Sequence, residues 1–360
     1  MADNPVRFGI IGCAAIARKL CRAIALAPNA TLHALGSRSI EKAKSFAAAN
    51  RLSGAVKLYG SYGDVLDDPL VDAVYLPLPT SLHAAWAVSA ARRGKHVLLE
   101  KPTAVDAAEL DRILEACQAS GVQFMDGTMW LHHPRTEKMM EIVSDRGRFG
   151  ELKSINSISM FAPSREFFED NIRVKPDLDS LGALGDLGWY CIGAFLWAAG
   201  FELPSAASAL PDVTHSSAGV ILSCSAVLYW GSAHETAATF HCSFLAHASM
   251  DLAVVGSNGS LHLKDFTIPI EEGSASFEFT PGAKFVDLHI GWSAKPEKVL
   301  VPAELPQEAL MIREFASLVQ GIRDSGRSPE SKWPEISRKT QLVLDAVNKS
   351  IDGGCMLVHL

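Results

Sequence analysis

As far as residue 126 the chain alternates between short apolar runs and stretches with helical spacing, and this alternation limits the fold more than any other feature. "RFGIIG" (7–12) is too continuously apolar for a half-exposed strand, and "AAIARKLCRAIALAP" (14–28) follows with helical spacing and closes on Pro28. The pattern repeats in "TLHALGS" and "SIEKAKSFAAANR", with Ser39 as N-cap, and in "VKLYG" and "YGDVLDD". It continues in "VDAVYLPLP" and "SLHAAWAVSAARRG", in "KHVLLE" and "AAELDRILEACQASG", and ends in "VQFMDG". Strands alternating with helices of about 10–15 residues imply right-handed βαβ units and a parallel sheet. Near-continuous apolar strands imply that both faces of that sheet are covered.

The texture changes after about Gly150. "ELKSINSISMFAPS", "AGVILSCSAVLYWGS", "ETAATFHCSFLAH" and "SMDLAVVGSNGSLHLKDF" are longer and alternate more. "GSNGS" (256–260) is a hairpin signal, because Asn and Gly accept positive φ. Helical spacing returns in "PQEALMIREFASLVQGIRD" and "WPEISRKTQLVLDAVNKSI". The expectation is α/β: a dinucleotide-binding Rossmann domain over 1–126, then an α+β domain over 127–360 with a large, mainly antiparallel open sheet.

Composition narrows the partners. The 360 residues carry a formal net charge of −7 with no block of like charges, which argues against nucleic acid or a membrane surface. No apolar run reaches the about 18 residues of a membrane span. "CIGAFLWAAGF" (191–201) is too short and ends at Glu202. The start "MADNPVRFGIIG" lacks the basic segment and long apolar run of a secretory leader. The seven Cys are scattered, odd in number and free of CxxC pairs, so reduced thiols and a cytoplasmic setting are expected.

"GIIGCAAIA" (9–17) lies where the first strand turns into the first helix, the place where a dinucleotide fold sets pyrophosphate on a helix N-terminus. Gly12 supplies the tight turn and Ala17 the close helix–strand contact, while Ala14 stands where a middle glycine is usual. Gly12, Cys13, Ala14, Ala15 and Ile16 are the candidate cofactor-binding turn. A cofactor without a 2′-phosphate is usually held by an Asp or Glu at the end of the second strand. Here Gly36, Ser37, Arg38 and Ser39 stand there, with no carboxylate before Glu41. A hydroxyl and a guanidinium suit a phosphate dianion, so NADP is expected over NAD.

"YLPLPTSLH" (75–83) and "LLEKP" (98–102) end the fourth and fifth strands, at the sheet edge where ligands bind in such folds. With Gly12 to Ala17, Pro79 to His83, Glu100-Lys101-Pro102, "NIR" (171–173) and "GALGDLGWY" (182–190), the chain resembles the glucose–fructose oxidoreductase / inositol dehydrogenase family over nearly its whole length. The likeness is nearest to dimeric dihydrodiol dehydrogenases and NADP-dependent xylose dehydrogenases, which carry an Asp and a Tyr four apart like Asp186 and Tyr190. The resemblance implies a homodimer through the open sheet and a small polyhydroxylated substrate, an aldose or a trans-dihydrodiol.

The chemistry follows from these residues. Hydride transfer from a secondary alcohol or hemiacetal carbon leaves a proton on oxygen, and Tyr190 is the candidate base. A free phenol has a pKa of ~10, and a nearby ammonium lowers it by about 1–3 units. Lys101 is the candidate ammonium, and it would also stabilise charge on the substrate oxygen. Asp186 would orient substrate or keep Lys101 charged, and on a helix its spacing of four from Tyr190 puts both on one face. Glu100 is expected at the nicotinamide ribose, and Pro102 to fix the peptide after Lys101 in cis. His83 either contacts cofactor, like Pro79, or only caps its helix. Arg173 reaches a substrate hydroxyl or pairs with an acid. In "MWLHHP" (129–134) adjacent His residues do not make a metal pair and no third ligand is in view, so no metal is expected. Trp130 and His132 are instead expected to line the substrate pocket, beside a Leu131 that stands where many relatives carry Arg. A second reading is a nucleotide-binding sensor of the same fold without turnover; retained Lys101, Asp186 and Tyr190 argue against it.

Overall fold

The structure is a computed structural model that describes residues 4–231, 235–288 and 290–360. It divides into two units. The first comprises the described residues as far as His132 and then Leu305–Arg338; the second comprises His133–Glu304 and Lys339–Leu360.

In the first unit the strands are β1 (Val6–Ile11), β2 (Ala30–Gly36), β3 (Lys57–Tyr59), β4 (Ala73–Leu76), β5 (His96–Leu99) and β6 (Phe124–Asp126). The helices between them are α1 (Ala15–Leu26), α2 (Ile40–Ala49), α3 (Tyr62–Asp67), α4 (His83–Arg92) and α5 (Ala107–Ala119). All six strands are parallel, in the order β3-β2-β1-β4-β5-β6. Every residue of β4 and β5 is buried, as both-face coverage requires. The register aligns Ile11 with Gly36, Leu76 with Leu99, and Leu99 with Asp126. Gly12, Ser37, Pro77, Glu100 and Gly127 therefore follow at one edge of the sheet, its carboxyl end.

The second unit opens with α6 (Pro134–Val143) and is built on a ten-stranded sheet. Its strands are β7 (Leu152–Met160), β8 (Ala206–Ala209), β9 (Thr214–His215), β10 (Ile221–Trp230), β11 (Thr236–Ser243), β12 (Ser249–Gly256), β13 (Gly259–Leu263), β14 (Ser274–Pro281), β15 (Glu297–Pro302) and β16 (Val358–His359). The order is β15-β14-β13-β12-β7-β11-β10-β8-β16, with β9 on β10, and among the described strands only β7 and β11 pair in parallel. The expected hairpin forms between β12 and β13, around Ser257 and Asn258. β7 alternates between buried and open positions, with Asn156 exposed and Ile155 and Ser157 buried. α7 (Arg165–Asp170) is short, whereas α8 (Trp189–Ala198) is buried along its length except at Tyr190. Residues 191–198 of the apolar stretch are thus part of a core helix, apolar all round because it is enclosed. Phe195 of α8 meets Phe240 of β11 at 6.2 Å, and the Ser157 hydroxyl of β7 lies 3.4 Å from the Cys191 thiol.

The chain then returns to the first unit with α9 (Gln307–Ser325) and the start of α10 (Lys332–Asp352). Phe315 of α9 packs on Phe8 at 5.9 Å, and the Asn29 amide donates to Arg313 O at 3.0 Å. A single crossing at 126/127 does not describe this path: 305–338 belongs with the first unit. The apolar stripe of α9 is visible in the sequence, but a stripe does not name the surface it will cover. Among the described residues no helix is long and apolar enough to cross a membrane.

Candidate active site

The turn after β1 is shaped for an anion. Gly12 has φ +122°, which favours glycine, and a Cβ there would crowd Leu78 Cδ2 at 3.0 Å. Ala14 is the N-cap of α1 in extended conformation (φ −80°, ψ 162°), which any residue adopts, so its methyl needs no distortion. No side chain caps α1, and Cys13 to Ile16 are exposed or half-buried. The first N–H groups of α1 are therefore presented without a protein cap, which fits a dinucleotide pyrophosphate.

At the end of β2 the candidate residues divide. Ser37 is 2% exposed, and its hydroxyl acts on the Cys13 thiol, whose pKa burial pushes up against the pull of Ser37 and Lys42. Ser39 caps α2, accepting the Lys42 N–H at 3.3 Å and donating to Glu41 Oε2 at 2.7 Å. The one nearby carboxylate is thus engaged with its own cap. Arg38 is the exposed member, beside the Tyr62 hydroxyl; burial raises the Tyr62 pKa and Arg38 works against it.

Pro77 and Pro79 take the chain out of the sheet after β4, since neither has an N–H to continue the ladder. Glu100, 8% exposed, begins the corresponding exit from β5. Its carboxylate accepts the Tyr75 hydroxyl and, at 3.2 Å, the backbone N–H of Lys101. Gly127 leaves room for it: a Cβ there would stand 3.0 Å from Glu100 Oε1. The Lys101–Pro102 peptide is cis, as expected. Lys101 itself is half-buried.

His83 differs from both alternatives held for it. It is the first residue of α4 rather than its cap, and it is 1% exposed. Nε2 lies 2.9 Å from Leu78 O and Nδ1 3.2 Å from Thr103 O. Both ring nitrogens face the protein's own backbone, not a cofactor. Burial pushes its pKa down to about 4, against the pull of those carbonyls.

In the second unit, Gly182 (φ +54°) begins the approach to α8; a Cβ there would lie 2.2 Å from Ile221 O. Leu184–Gly188 then forms a π-helical turn running into α8. Asp186 sits in that turn, 6% exposed, and Tyr190 in the first turn of α8, half-buried. Such turns recur at functional sites. Asn171 Oδ1 accepts the Arg173 N–H at 3.0 Å and so caps the short turn Ile172–Val174. Arg173 Nε meets Asp186 Oδ1 at 2.9 Å. Asp186, then Asp179 and Tyr190, hold the guanidinium above its ordinary pKa against burial. Of the two expectations for Arg173, the structure realises the ion pair, and it adds Tyr190 to the same electrostatic group.

Trp130 and His132 do not line an open pocket. Trp130 is 1% exposed. The His132 ring stacks on Trp333 at 4.6 Å and its Nδ1 lies 2.8 Å from Glu314 Oε2, with the side chain 1% exposed. These partners come from α9 and α10, roughly 180–200 residues downstream, and no local pattern announces them. His133 instead caps α6, its Nδ1 accepting the Arg135 N–H at 2.9 Å. Among the described residues no group of three or more His, Cys, Asp or Glu is placed to share a metal ion.

A model of the oxidoreductase family with an NAD-binding Rossmann fold matches residues 6–128, and a model of the GFO/IDH/MocA C-terminal domain matches 137–262. The chain is 32% identical over 347 residues to dTDP-3,4-didehydro-2,6-dideoxy-alpha-D-glucose 3-reductase of Actinomadura kijaniata, covering 96% of this chain and 95% of that one. It is 38% identical over 188 residues to D-xylose 1-dehydrogenase (NADP(+)) 2 of Haloferax volcanii, covering 52% and 55%. A crystal structure of a 3-ketoreductase from Actinomadura kijaniata with NADP and TDP-benzene superimposes with a TM-score of 0.79 at 28% identity, covering 96% of this chain and 98% of that one. Two family models in the expected order, and a relative matched end to end, establish that the chain belongs to the GFO/IDH/MocA family of NAD(P)-dependent oxidoreductases.

Proposed function

We propose that the protein is an NADP-dependent oxidoreductase acting on the secondary alcohol or hemiacetal carbon of a small polyhydroxylated substrate, an aldose or a trans-dihydrodiol. The observation that carries this reading is the Lys101 platform: a half-buried lysine leaving the carboxyl end of β5, with the Glu100 carboxylate on its N–H. NADP, when bound, supplies or accepts the hydride. Gly12 to Ile16 would hold its pyrophosphate and Arg38 its 2′-phosphate, with Ser37 backing the turn through Cys13; Pro79 would border it. Glu100, tied to Tyr75, would act on the nicotinamide ribose only at the edge of its buried carboxylate.

In the oxidative direction the Lys101 ammonium donates a hydrogen bond to the substrate oxygen and stabilises the charge that develops there. The Tyr190 hydroxyl, as phenolate, accepts the proton from that oxygen and returns it in reduction. Asp186 and Arg173 fix the charge around Tyr190. The relatives support a sugar-like substrate, one by its nucleotide-linked ketosugar and one by xylose. Seven unbridged thiols suit a reducing compartment, and we place the enzyme in the cytoplasm. The alternating β7 supports a homodimer in which a second copy covers the open face of the ten-stranded sheet, which light scattering would detect.

The test is NADP⁺ reduction with xylose, glucose, inositol and a trans-dihydrodiol, and NADPH oxidation with a TDP-linked 3-ketosugar, with Lys101→Met as control. Turnover on a free sugar or diol that Lys101→Met loses is the expected result. Turnover on the nucleotide-linked sugar alone would replace the substrate class. Silence throughout, with NADPH bound, would replace catalysis by nucleotide binding without turnover.

A further inference from the structure

We propose that His83 is a positioning residue for Lys101, acting as a backbone staple between the exits of β4 and β5. This rests on the role given to Lys101 above. Two loops leave the sheet side by side, Pro77–Leu78–Pro79 after β4 and Lys101–Pro102–Thr103 after β5. The His83 ring lies against both, with Nε2 at 2.9 Å from Leu78 O and Nδ1 at 3.2 Å from Thr103 O. The neutral ring has a single N–H and so bonds one of these carbonyls; the link between the two exits is the Nδ1–H tautomer, which donates to Thr103 O. Pro102, Thr103 and Ala104 are all buried, so this carbonyl has no ready exchange for water.

Lys101 is thereby fixed on both sides. On one, the Glu100 N–H donates to Leu76 O at 3.3 Å, continuing the sheet, while the Glu100 carboxylate holds the Lys101 N–H. On the other, Thr103 O lies 3.2 Å from His83 Nδ1 and accepts its proton in the proposed tautomer. A long side chain on a mobile loop would lose its donor geometry to rotation of its own backbone; one anchored at Glu100 on one side and Thr103 on the other keeps it. The histidine thus contributes to catalysis without touching the reacting atoms.

The experiment compares His83→Leu, His83→Gln and Lys101→Met, with kcat normalised to NADPH-binding sites. Leu fills the space but offers no N–H; Gln keeps a donor of similar reach. His83→Leu should lower kcat by about 10- to 100-fold with NADPH affinity within about twofold, because small misplacement of a catalytic group carries a penalty of that size. His83→Gln should recover most of the loss. If His83→Leu does not fold, His83→Asn, whose shorter amide cannot reach Thr103 O, is measured in its place with the same expectation. Wild-type kcat per site in the Leu or Asn variant, or a loss that Gln does not relieve, overturns the proposal while leaving the role of Lys101 intact. Wild-type turnover by Lys101→Met removes the role of Lys101, and the proposal with it.

Discussion

The two ends of the six-stranded parallel sheet are built on different principles. At the amino end, charges answer charges. Asp72 accepts from the Arg7 backbone, Nε and Nη2 at 2.9, 3.0 and 2.7 Å, and Arg323 stands 3.5 Å away. Asp68 takes His33 at 3.1 Å, Lys57 at 3.0 Å and the Tyr59 hydroxyl at 2.9 Å. Burial raises the Asp68 pKa, but the Leu70 N–H and these donors outweigh it and hold the carboxyl well below the usual range. At the carboxyl end the organising partners are backbone: Leu78 O and Thr103 O for His83, the Lys101 N–H for Glu100, and the uncapped N–H groups of α1. Mutual ion pairing secures stability. Backbone anchoring fixes where a side chain begins and leaves its chemistry for a ligand.

Substitutions at the two ends should separate activity from stability. Lys101→Met should lower kcat by about a thousandfold, about 4 kcal/mol, with the urea midpoint little changed. Asp68→Ala should do the reverse, removing about 1–3 kcal/mol of stability because the Leu70 N–H, the Tyr59 hydroxyl and the other donors lose their shared acceptor, while kcat holds. A Lys101 variant that unfolds as early as the Asp68 variant would erase the contrast. Arg38→Ala should weaken NADPH by about 10- to 100-fold, the size of a charge-assisted hydrogen bond, and NADH hardly at all. Equal losses for both nucleotides, read by fluorescence titration, would remove Arg38 from the 2′-phosphate.

Acid sharpens the comparison further. Burial pushes His83, His96 and His133 each down to about 4, so the folded protein binds fewer protons than the unfolded chain below the ordinary imidazole value. Their contribution is complete above about pH 6.5 and is lost as pH falls toward about 4, at up to about 1.4 kcal/mol per pH unit for each ring. The Asp68 contribution persists through that window and goes only as pH falls below ~3.9. Urea unfolding from pH 7 to 4 should therefore show stability falling in the wild type, with a smaller slope in a folded His83→Gln variant. Equal slopes would mean that His83 takes up its proton at the same pH in the folded protein as in the unfolded chain.

Local rules reached far into this chain. Alternation of apolar runs with helical stretches specified six parallel strands, and "GSNGS" its hairpin, because both depend on side-chain period and φ preference within a few residues. Gly12 was legible because a positive φ selects glycine. Ser39 was legible as the cap of α2, whereas Ser37 is buried against Cys13, which leaves Arg38 as the exposed group. Arg173 and Asp186 could be named but not paired, since their approach depends on the turn that Asn171 caps and on the π-helical entry to α8.

The sequence by itself determined the class of fold, the glycine turn, the cation at the end of β2 and a lysine stiffened by a following proline. Only the tertiary structure decided that His83 serves the backbone, that His132 turns to Glu314, and that 305–338 rejoins the first unit. Periodicity and backbone preference are carried by neighbouring residues. A hydrogen bond between groups 20 or 182 residues apart exists only once the chain has brought them together.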